Sequence, residues 1–539
     1  MEHVQKNKRL YSFLLVLCLV CNLFTGIPAA EAAESDLLSA IPSQTISTTP
    51  AQITLSIAKD ENGSAMAFNW VVTDTFSTEG KSNLVYSENS DMSDAVTVSA
   101  QRKDPDGDDI ETDTEEEWGV FENVYAYSAK TYSLTAGETY YYQVGNETDG
   151  YTETASFKAP DKNTDSFSFV VLADTQSNTK AGYNNTRELY NYIAEQESNA
   201  AFLIHTGDIV EDGNVSVQWE WFFEAAKNLL CSIPMMTTPG NHESGHHDKN
   251  LVNFKAHTNF ETLTAPEGLS ENAKGTVYSF EYGNALFICL NTAAGSADDK
   301  IQFDFLRQQV EQTNKKWKIV FMHIPPYDPG KNHYSVDNET GKLLSDAGVD
   351  LVLSGHEHAY ARNTLLTTDA GIKKAEPGNA PTYVIGGSVM NAAYDRNSKS
   401  DLWSQTFVEL RKPSGSGIYA PGVYASVDVK EDSLTYTAYY KADGENFSAI
   451  DTFTINKNGN SEEPPVEKKP LEIDSAEDLV TLSKMDISDR DIILTKDIDM
   501  EGLEFTPLNG SVLYNGIFDG QGHVIKNLSI SNTGKNCTG

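Results

Sequence analysis

Basic residues are scarce in this chain. Its 539 residues include 40 Lys and Arg against 78 Asp and Glu, a formal net charge of -38. That balance argues against nucleic acid as a partner, because a phosphate backbone calls for a basic surface. A solvated acidic exterior accounts for most of the excess. Cysteine is also scarce, at five residues. Cys18 and Cys21 fall in the first segment and Cys537 at the far end, while Cys231 and Cys289 stand in apolar runs and read as buried thiols, with a bridge between them left open. No disulfide framework follows from that spacing. Long apolar runs are missing as well. The N-terminal one, about residues 13–24, is too short for a comfortable membrane span and is followed by Gly26 and Pro28. Lys6, Lys8 and Arg9 precede it and Ala30-Glu31-Ala32 follows, so residues 1–32 read as a secretory signal cleaved after Ala32.

What is present is a globular composition, 39% hydrophobic and 22% charged, in a chain long enough for two to four domains. Five short apolar runs each end in residues able to bind metal. Phe169-Val170-Val171-Leu172-Ala173 leads to Asp174-Thr175-Gln176, and Phe202-Leu203-Ile204-His205-Thr206 to Gly207-Asp208. A Met-rich run leads to Gly240-Asn241-His242-Glu243, Ile319-Val320-Phe321-Met322 to His323, and Val349-Asp350-Leu351-Val352-Leu353-Ser354 to Gly355-His356-Glu357-His358. Runs of this length and composition predict buried strands. Strands entering one sheet can deliver distant residues to one edge. Two carboxylates, an amide and three imidazoles gathered there suit a hard-to-borderline metal pair. One His-x-His pair would carry little weight; five ordered blocks carry much more.

These five blocks, in this order, resemble the calcineurin-like metallophosphoesterase superfamily and, within it, the purple acid phosphatase-like branch. The resemblance spans residues 161–456 and implies a two-sheet α/β sandwich flanked by helices, with the site at the strand ends. It implies two metal ions, with iron, manganese or zinc all open. Asp174, Asp208 and His358 would hold the first; Asp208, Asn241, His323 and His356 the second, Asp208 bridging ions about 3.5–4 Å apart. Solvent shared by two cations loses a proton near or below neutral pH, and the hydroxide attacks phosphorus in line without a phosphoenzyme. His242, next to Asn241, would bind the phosphoryl group and protonate the leaving oxygen. His333 falls where the branch places a substrate-binding histidine.

Several neighbours have plainer readings. Tyr360 and Arg362 match aromatic and basic positions of the branch but could equally be packing or a surface pair. His205 reads as a supporting or core histidine, and His246 and His247 as exposed loop residues. The chain also departs from the branch. Where purple acid phosphatases carry the tyrosinate that gives their colour, three residues after the bridging Asp, this chain has Glu211. Where other branches carry Asp-x-His it has Gln176, an amide able to bind a metal weakly or to hold water. The colour should be absent, and an acidic pH optimum does not follow.

On either side of this domain the pattern changes. Residues 46–160 alternate short strands with turn-rich links, among them Gln52-Ile53-Thr54-Leu55-Ser56-Ile57, Met66-Ala67-Phe68-Asn69-Trp70-Val71-Val72 and Thr139-Tyr140-Tyr141-Tyr142-Gln143-Val144. That is β-sandwich rhythm, with Trp70 a core residue and residues 104–117 a solvated acidic loop. It resembles the fibronectin-type-III-like domain that precedes the catalytic domain in purple acid phosphatases. Helical spacing appears over residues 186–197, 218–230 and 303–312. Residues 457–470 are a linker by composition. Residues 471–539, with Gly516-Ile517-Phe518-Asp519-Gly520-Gln521-Gly522-His523-Val524-Ile525-Lys526-Asn527-Leu528, are similar to the start of GLUG-type β-helical repeats of bacterial surface proteins. Such a unit stacks with neighbours, so the native chain is expected to continue beyond Gly539, and cell-surface or wall association through this region is expected.

The expectation is a secreted phosphoesterase acting on a small phosphorylated substrate. Two alternatives stay open: a phosphodiesterase or nucleotide hydrolase on the same metals, and a surface adhesion protein whose phosphatase domain is inactive.

Overall fold

Period-2 burial builds the first domain. In the computed structural model the described residues are 50–60, 64–73, 82–103, 124–244, 251–327, 336–389, 406–408, 422–441, 446–457, 471–482, 491–503 and 517–529. Strand Ala65–Thr73 pairs on either side with Ala51–Ala58 and Val124–Lys130, and strand Asn83–Ser87 pairs with Thr139–Asn146 in a second antiparallel sheet. Alternate residues of the two sheets, among them Leu55, Phe68, Trp70, Leu84, Tyr142 and Val144, form one core. Trp70 is fully buried, with its indole N–H donated to Ser82 Oγ at 2.9 Å.

The second domain is two facing sheets. One has the order Met235–Thr237, Leu203–His205, Phe167–Leu172, Val423–Val429, Ser433–Tyr440, Ser448–Asn456. Its first three strands are parallel and the rest antiparallel. The other sheet runs Tyr278–Tyr282, Ala285–Cys289, Trp317–Phe321, Leu351–Ser354, Thr382–Gly386, Tyr360–Thr368, Gly371–Lys374, with Thr406–Val408 against Tyr360–Thr368. Its middle strands are parallel, so side chains in register share a face. Phe287, Ile319 and Leu351 line up toward the core between the sheets. Ile288, Val320 and Val352, one residue on, join the outer core with Phe305 and Leu343 of the covering helices Asp299–Gln312 and Asn338–Asp346. Both faces are thus buried, which is why these strands read as continuous apolar runs.

Helices begin earlier than their apolar spacing suggests. Lys180–Gln196 starts six residues before residue 186, because Thr179 caps it by accepting the Gly182 N–H at 3.1 Å. Ser216–Leu230 and Asp299–Gln312 start two and four residues before their expected bounds. Helix Asn338–Asp346 has no counterpart in the sequence reading; Asp337 caps it by accepting N–H groups of Glu339 and Thr340. First turns are polar, so hydrophobic periodicity is silent there.

Cys289 is buried and Cys231 half-buried, both as free thiols. Beyond the second domain, strands Leu471–Ile473, Ile492–Leu494 and Phe518–Asp519 run parallel, as do Ile498–Asp499 and Ile525–Lys526, over a small core of Ile473, Leu479, Ile492, Leu494, Ile498 and Met500. The expected signal at 1–32, the acidic segment 104–117 and nearly all of the linker lie outside the described residues. Among the described residues no helix is long and apolar enough to cross a membrane.

Candidate metal centre

Parallel strands put their carboxyl ends on one edge, and the candidate ligands follow those ends. Asp174, Asp208 and His356 come two or three residues after strands Phe167–Leu172, Leu203–His205 and Leu351–Ser354. All three hold positive φ, 52°, 53° and 70°, in the left-handed region that non-glycine residues seldom enter. The sharp reversal brings them together: the His356 N–H donates to Asp174 Oδ1 at 2.9 Å.

The donor atoms form two groups that share Asp208. In one, His323 Nε2 lies 3.0 Å from Asn241 Oδ1 and 3.1 Å from Asp208 Oδ2, and His356 Nδ1 lies 2.8 Å from the same Asn241 oxygen. In the other, His358 Nε2 lies 4.0 Å from Asp174 Oδ1, and the Gln176 amide nitrogen lies 3.3 Å from His358 Nε2 and 3.4 Å from Asp208 Oδ2. Ligand atoms of Asp208, His323 and His356 all fall within 4.8 Å of one another. His323 Nδ1 sits 2.9 Å from the Thr206 carbonyl, which fixes a proton there and leaves Nε2 facing two oxygens. Those oxygens call for a positive charge, which a proton on Nε2 supplies when no metal is bound and a bound cation would supply in its place, so this donor set fits a cation. Gln176 turns its amide nitrogen to the cluster; in that orientation it donates hydrogen bonds, and only the flipped amide would offer oxygen.

The charges respond to one another strongly. Burial raises Asp208, but the adjoining His323 and His242 outweigh it and hold the carboxyl at about 2. Burial lowers His323, and Asp208 with Asp174 overcomes it to push the imidazole up to about 9. Burial drives Asp174 well above the carboxylate range. A site this dry pairs each charge or neutralises it.

Close approach explains the glycines. A Cβ on Gly240 would lie 2.7 Å from Asp208 Cγ and closer still to Oδ1, and one on Gly355 would lie 2.7 Å from Asp174 Oδ2. Both blocks must press backbone against a carboxylate, which any side chain would prevent.

Glu243 is the residue that the sequence reading did not single out. Fully buried, it accepts four backbone N–H groups: Asp208 at 2.9 Å, Ile209 at 2.7 Å, Val210 at 2.9 Å and Gly240 at 2.8 Å. It thereby ties the turn carrying Asp208 to the turn carrying Asn241. Burial and the Asp208 charge lift it to about 7, against the pull of those N–H donors. The signal available was its place two residues after Asn241 in the same short helix, Asn241–Ser244.

His242 stands beside the cluster. Its Nδ1 is 2.7 Å from the Glu211 carbonyl, and its Nε2 is 3.9 Å from Asp208 Oδ2. Burial lowers the imidazole, while Asp208 and Glu211 outweigh it and raise it above its ordinary value. Glu211 Oε1 lies 3.7 Å from the same Nδ1.

The remaining neighbours are structural. His205 is buried between the Gly207 N–H at 3.2 Å on Nδ1 and Thr175 Oγ1 at 3.1 Å on Nε2, and burial takes it down to about 3. Tyr360 and Arg362 are buried and both bind Asp451, at 2.9 Å and 2.7 Å, tying one sheet to the other. Of the two plain readings for them, Tyr360 is packing, whereas Arg362 forms a pair that is buried rather than on the surface. His333, His246 and His247 lie outside the described residues. A cavity of about 350 Å³ lies elsewhere, lined by Ile57, Lys59, Phe280 and Gln309 and by none of the candidate ligands.

The family model described as calcineurin-like phosphoesterase matches residues 167–360, and that described as purple acid phosphatase, N-terminal domain, matches residues 50–159. The chain carries a calcineurin-like phosphoesterase domain behind a purple acid phosphatase N-terminal domain. Purple acid phosphatase 22 of Arabidopsis thaliana is 27% identical over 240 residues, covering 42% of this chain and 51% of the relative. Phosphoenolpyruvate phosphatase of Allium cepa is 24% identical over 349 residues, covering 61% and 67%. The chain spans about half the length of the first two Arabidopsis relatives, 51% and 56%. Among solved structures, purple acid phosphatase from yellow lupin (Lupinus luteus) seeds superposes with a TM-score of 0.60 at 16% identity, covering 76% of this chain and 74% of that one. PhoD superposes at 0.54 and 12% identity, covering 77% and 93%. These two likenesses show the fold of the phosphoesterase domain and its β-sandwich partner.

Proposed function

We propose that this chain is a secreted phosphoesterase that hydrolyses phosphate monoesters at a two-metal centre. The observation that carries the reading is the pair of donor groups sharing Asp208, with the His242 imidazole beside them. Asp174, Asp208 and His358 would hold one ion and Asp208, Asn241, His323 and His356 the other. A bound pair supplies activation of water as the nucleophile and neutralisation of charge on the phosphoryl oxygens. Iron, manganese and zinc each suit such a mixed oxygen and nitrogen set.

The chain's own residues prepare the rest. Asp208 is presented by a turn whose N–H groups are taken up by Glu243, so its carboxylate needs no rearrangement to bind. Thr206 fixes the His323 tautomer. The Glu211 carbonyl takes the His242 Nδ1 proton in a hydrogen bond, which leaves Nε2 as the atom turned to the cluster. Protonated there, His242 binds a phosphoryl oxygen and delivers its proton to the departing alkoxide. The carboxylates around it raise its proton affinity, which favours that acid form.

The test is metal content of the purified chain together with hydrolysis of 4-nitrophenyl phosphate and bis(4-nitrophenyl) phosphate, with Asp208→Ala as control. Two metals per chain, turnover of the monoester, and loss of both in the variant are the expected results. Preference for the diester would move the activity to phosphodiesters. No turnover with added manganese, zinc or iron would end the enzymatic reading and leave the adhesion reading. The proposal also takes residues 1–32 as the export signal and residues 471–539 as a surface-associating segment. Recovery of the chain in culture medium or on the cell surface, dependent on those segments, checks both.

A further inference from the structure

An unbroken series of hydrogen bonds runs from the β-sandwich domain to His242. It starts at Gln52, in strand Ala51–Ala58, where pairing shifts register and Gln52 itself takes a φ of 52°. His257, neutral and with a single ring N–H, donates from Nδ1 to the Asn253 carbonyl at 2.7 Å. Its Nε2 lies 2.6 Å from the Gln52 side-chain amide, which bonds it by turning its N–H₂ group, rather than its oxygen, to the ring. The Asn253 side-chain amide donates to the Gly213 carbonyl at 2.8 Å, and the Trp219 indole N–H donates to the same oxygen at 2.8 Å. The Gly213 N–H then donates to the His242 carbonyl at 3.0 Å. From the same loop the Glu211 carbonyl meets the His242 ring. Gln218 holds the loop between them, accepting the Asp212 N–H at 2.8 Å and donating to Asp212 Oδ2 at 3.1 Å. Ring and backbone of His242 are therefore both held by residues 211–213.

The series is anchored where the two domains meet. The His257 ring is stacked 4.9 Å from Trp219 and 4.9 Å from Phe223, with interplanar angles of 6° and 26°. From the sandwich side, Thr54 Oγ1 donates to the His257 carbonyl at 2.6 Å and Ser56 Oγ to the Asn259 carbonyl at 3.1 Å. Lys103 Nζ donates to the Lys255 carbonyl at 2.6 Å and also to the Thr258 carbonyl. Three sandwich side chains, together with Gln52, thus grip the end of helix Val252–Ala256, the helix that carries Asn253. Asn253 is fully buried, so its amide cannot trade this bond for water.

We infer that the purple acid phosphatase-type β-sandwich domain positions the His242 imidazole, through Gln52, His257, Asn253 and the loop of residues 211–213. Docking of the domain then sets how well a proton is delivered to the leaving oxygen. The inference rests on the proposed role of His242. Gln52, His257 and Asn253 are positioning residues, since none of them meets the cluster.

The experiment compares two monoesters in the full chain with metal added. A 4-nitrophenolate leaves with little help from an acid, whereas ethanol from ethyl phosphate needs the proton. Gln52→Ala and Asn253→Ala are each expected to lower kcat for ethyl phosphate about tenfold and for 4-nitrophenyl phosphate by less than about threefold, with KM and metal content unchanged. In a His242→Ala background neither substitution should lower kcat further. Equal losses on the two esters, or additive losses with His242→Ala, would overturn the positioning role. If Asn253→Ala does not fold, Gln52→Ala, at a half-buried position on an outer strand, decides alone. A wild-type chain that hydrolyses neither ester overturns the phosphoesterase reading and this inference with it; a wild-type chain that hydrolyses both leaves only the positioning at stake.

Discussion

Gly240 and Asp208 are packed backbone against carboxylate, with no room for a Cβ between them. The proposed bridging ligand is therefore held by steric contact on one side and by the His242 N–H, 2.9 Å from Asp208 Oδ1, on the other. Gly240→Ala is expected to push that carboxylate aside, lowering kcat/KM by about 100-fold or more and metal content below two per chain. Metal analysis and kinetics on the folded variant check it. Retention of both metals at full activity would show that the contact yields without consequence.

Glu243→Gln would set an amide N–H₂ against N–H groups that now donate to a carboxylate. Each buried donor left unmatched costs about 1–3 kcal/mol, and loss of such an outer support weakens a metal site about 10–100-fold. The variant should melt several degrees lower and need correspondingly more metal for half-maximal activity. Calorimetry and metal titration measure the two effects separately.

The Arg362–Asp451 pair is buried, and Tyr360 shares the same carboxylate. Asp451→Ala removes a carboxylate from a buried guanidinium, a loss of up to about 3–5 kcal/mol. Replacing both residues, as Arg362→Met with Asp451→Leu, should recover most of it. Urea midpoints of the three proteins check the order, and a single variant as stable as wild type would sink the explanation.

His257 supplies a pH dependence away from the metal centre. Burial between aromatic rings depresses its pKa from 6.5 to about 4. In the unfolded chain it would take up a proton near its ordinary value, so between those limits the unfolded state binds more protons than the folded one. Stability from this group is complete above about pH 6.5 and is lost as pH falls toward about 4, a change of about 3 kcal/mol. His257→Asn should flatten the stability profile in that window, as followed by denaturant unfolding at a series of pH values.

The gathering of the candidate ligands was legible because most of them closely follow strands written as apolar runs. Asp174, Asp208, His323 and His356 sit where an apolar run stops, and parallel strands necessarily stop on a common edge. Period-2 alternation of apolar residues likewise announced the β-sandwich. What escaped was of two kinds. Helix starts such as Lys180 and Asn338 depend on a capping side chain, which leaves no apolar period to read. Partners such as Arg362 and Asp451, 89 residues apart, or Gln52 and His257, 205 apart, are chosen by how layers stack, and no local pattern records that choice.

Sequence by itself therefore determined the donor chemistry of the candidate centre, since Asp, Asn and His at strand ends offer oxygen and nitrogen lone pairs whatever their surroundings. Only the tertiary structure decided how those lone pairs are held. The left-handed turns at Asp174, Asp208 and His356, the four N–H groups on Glu243 and the loop around His242 arise from packing between segments far apart in the chain. Such contacts exist only once the two sheets have closed on each other and the β-sandwich has docked beside them.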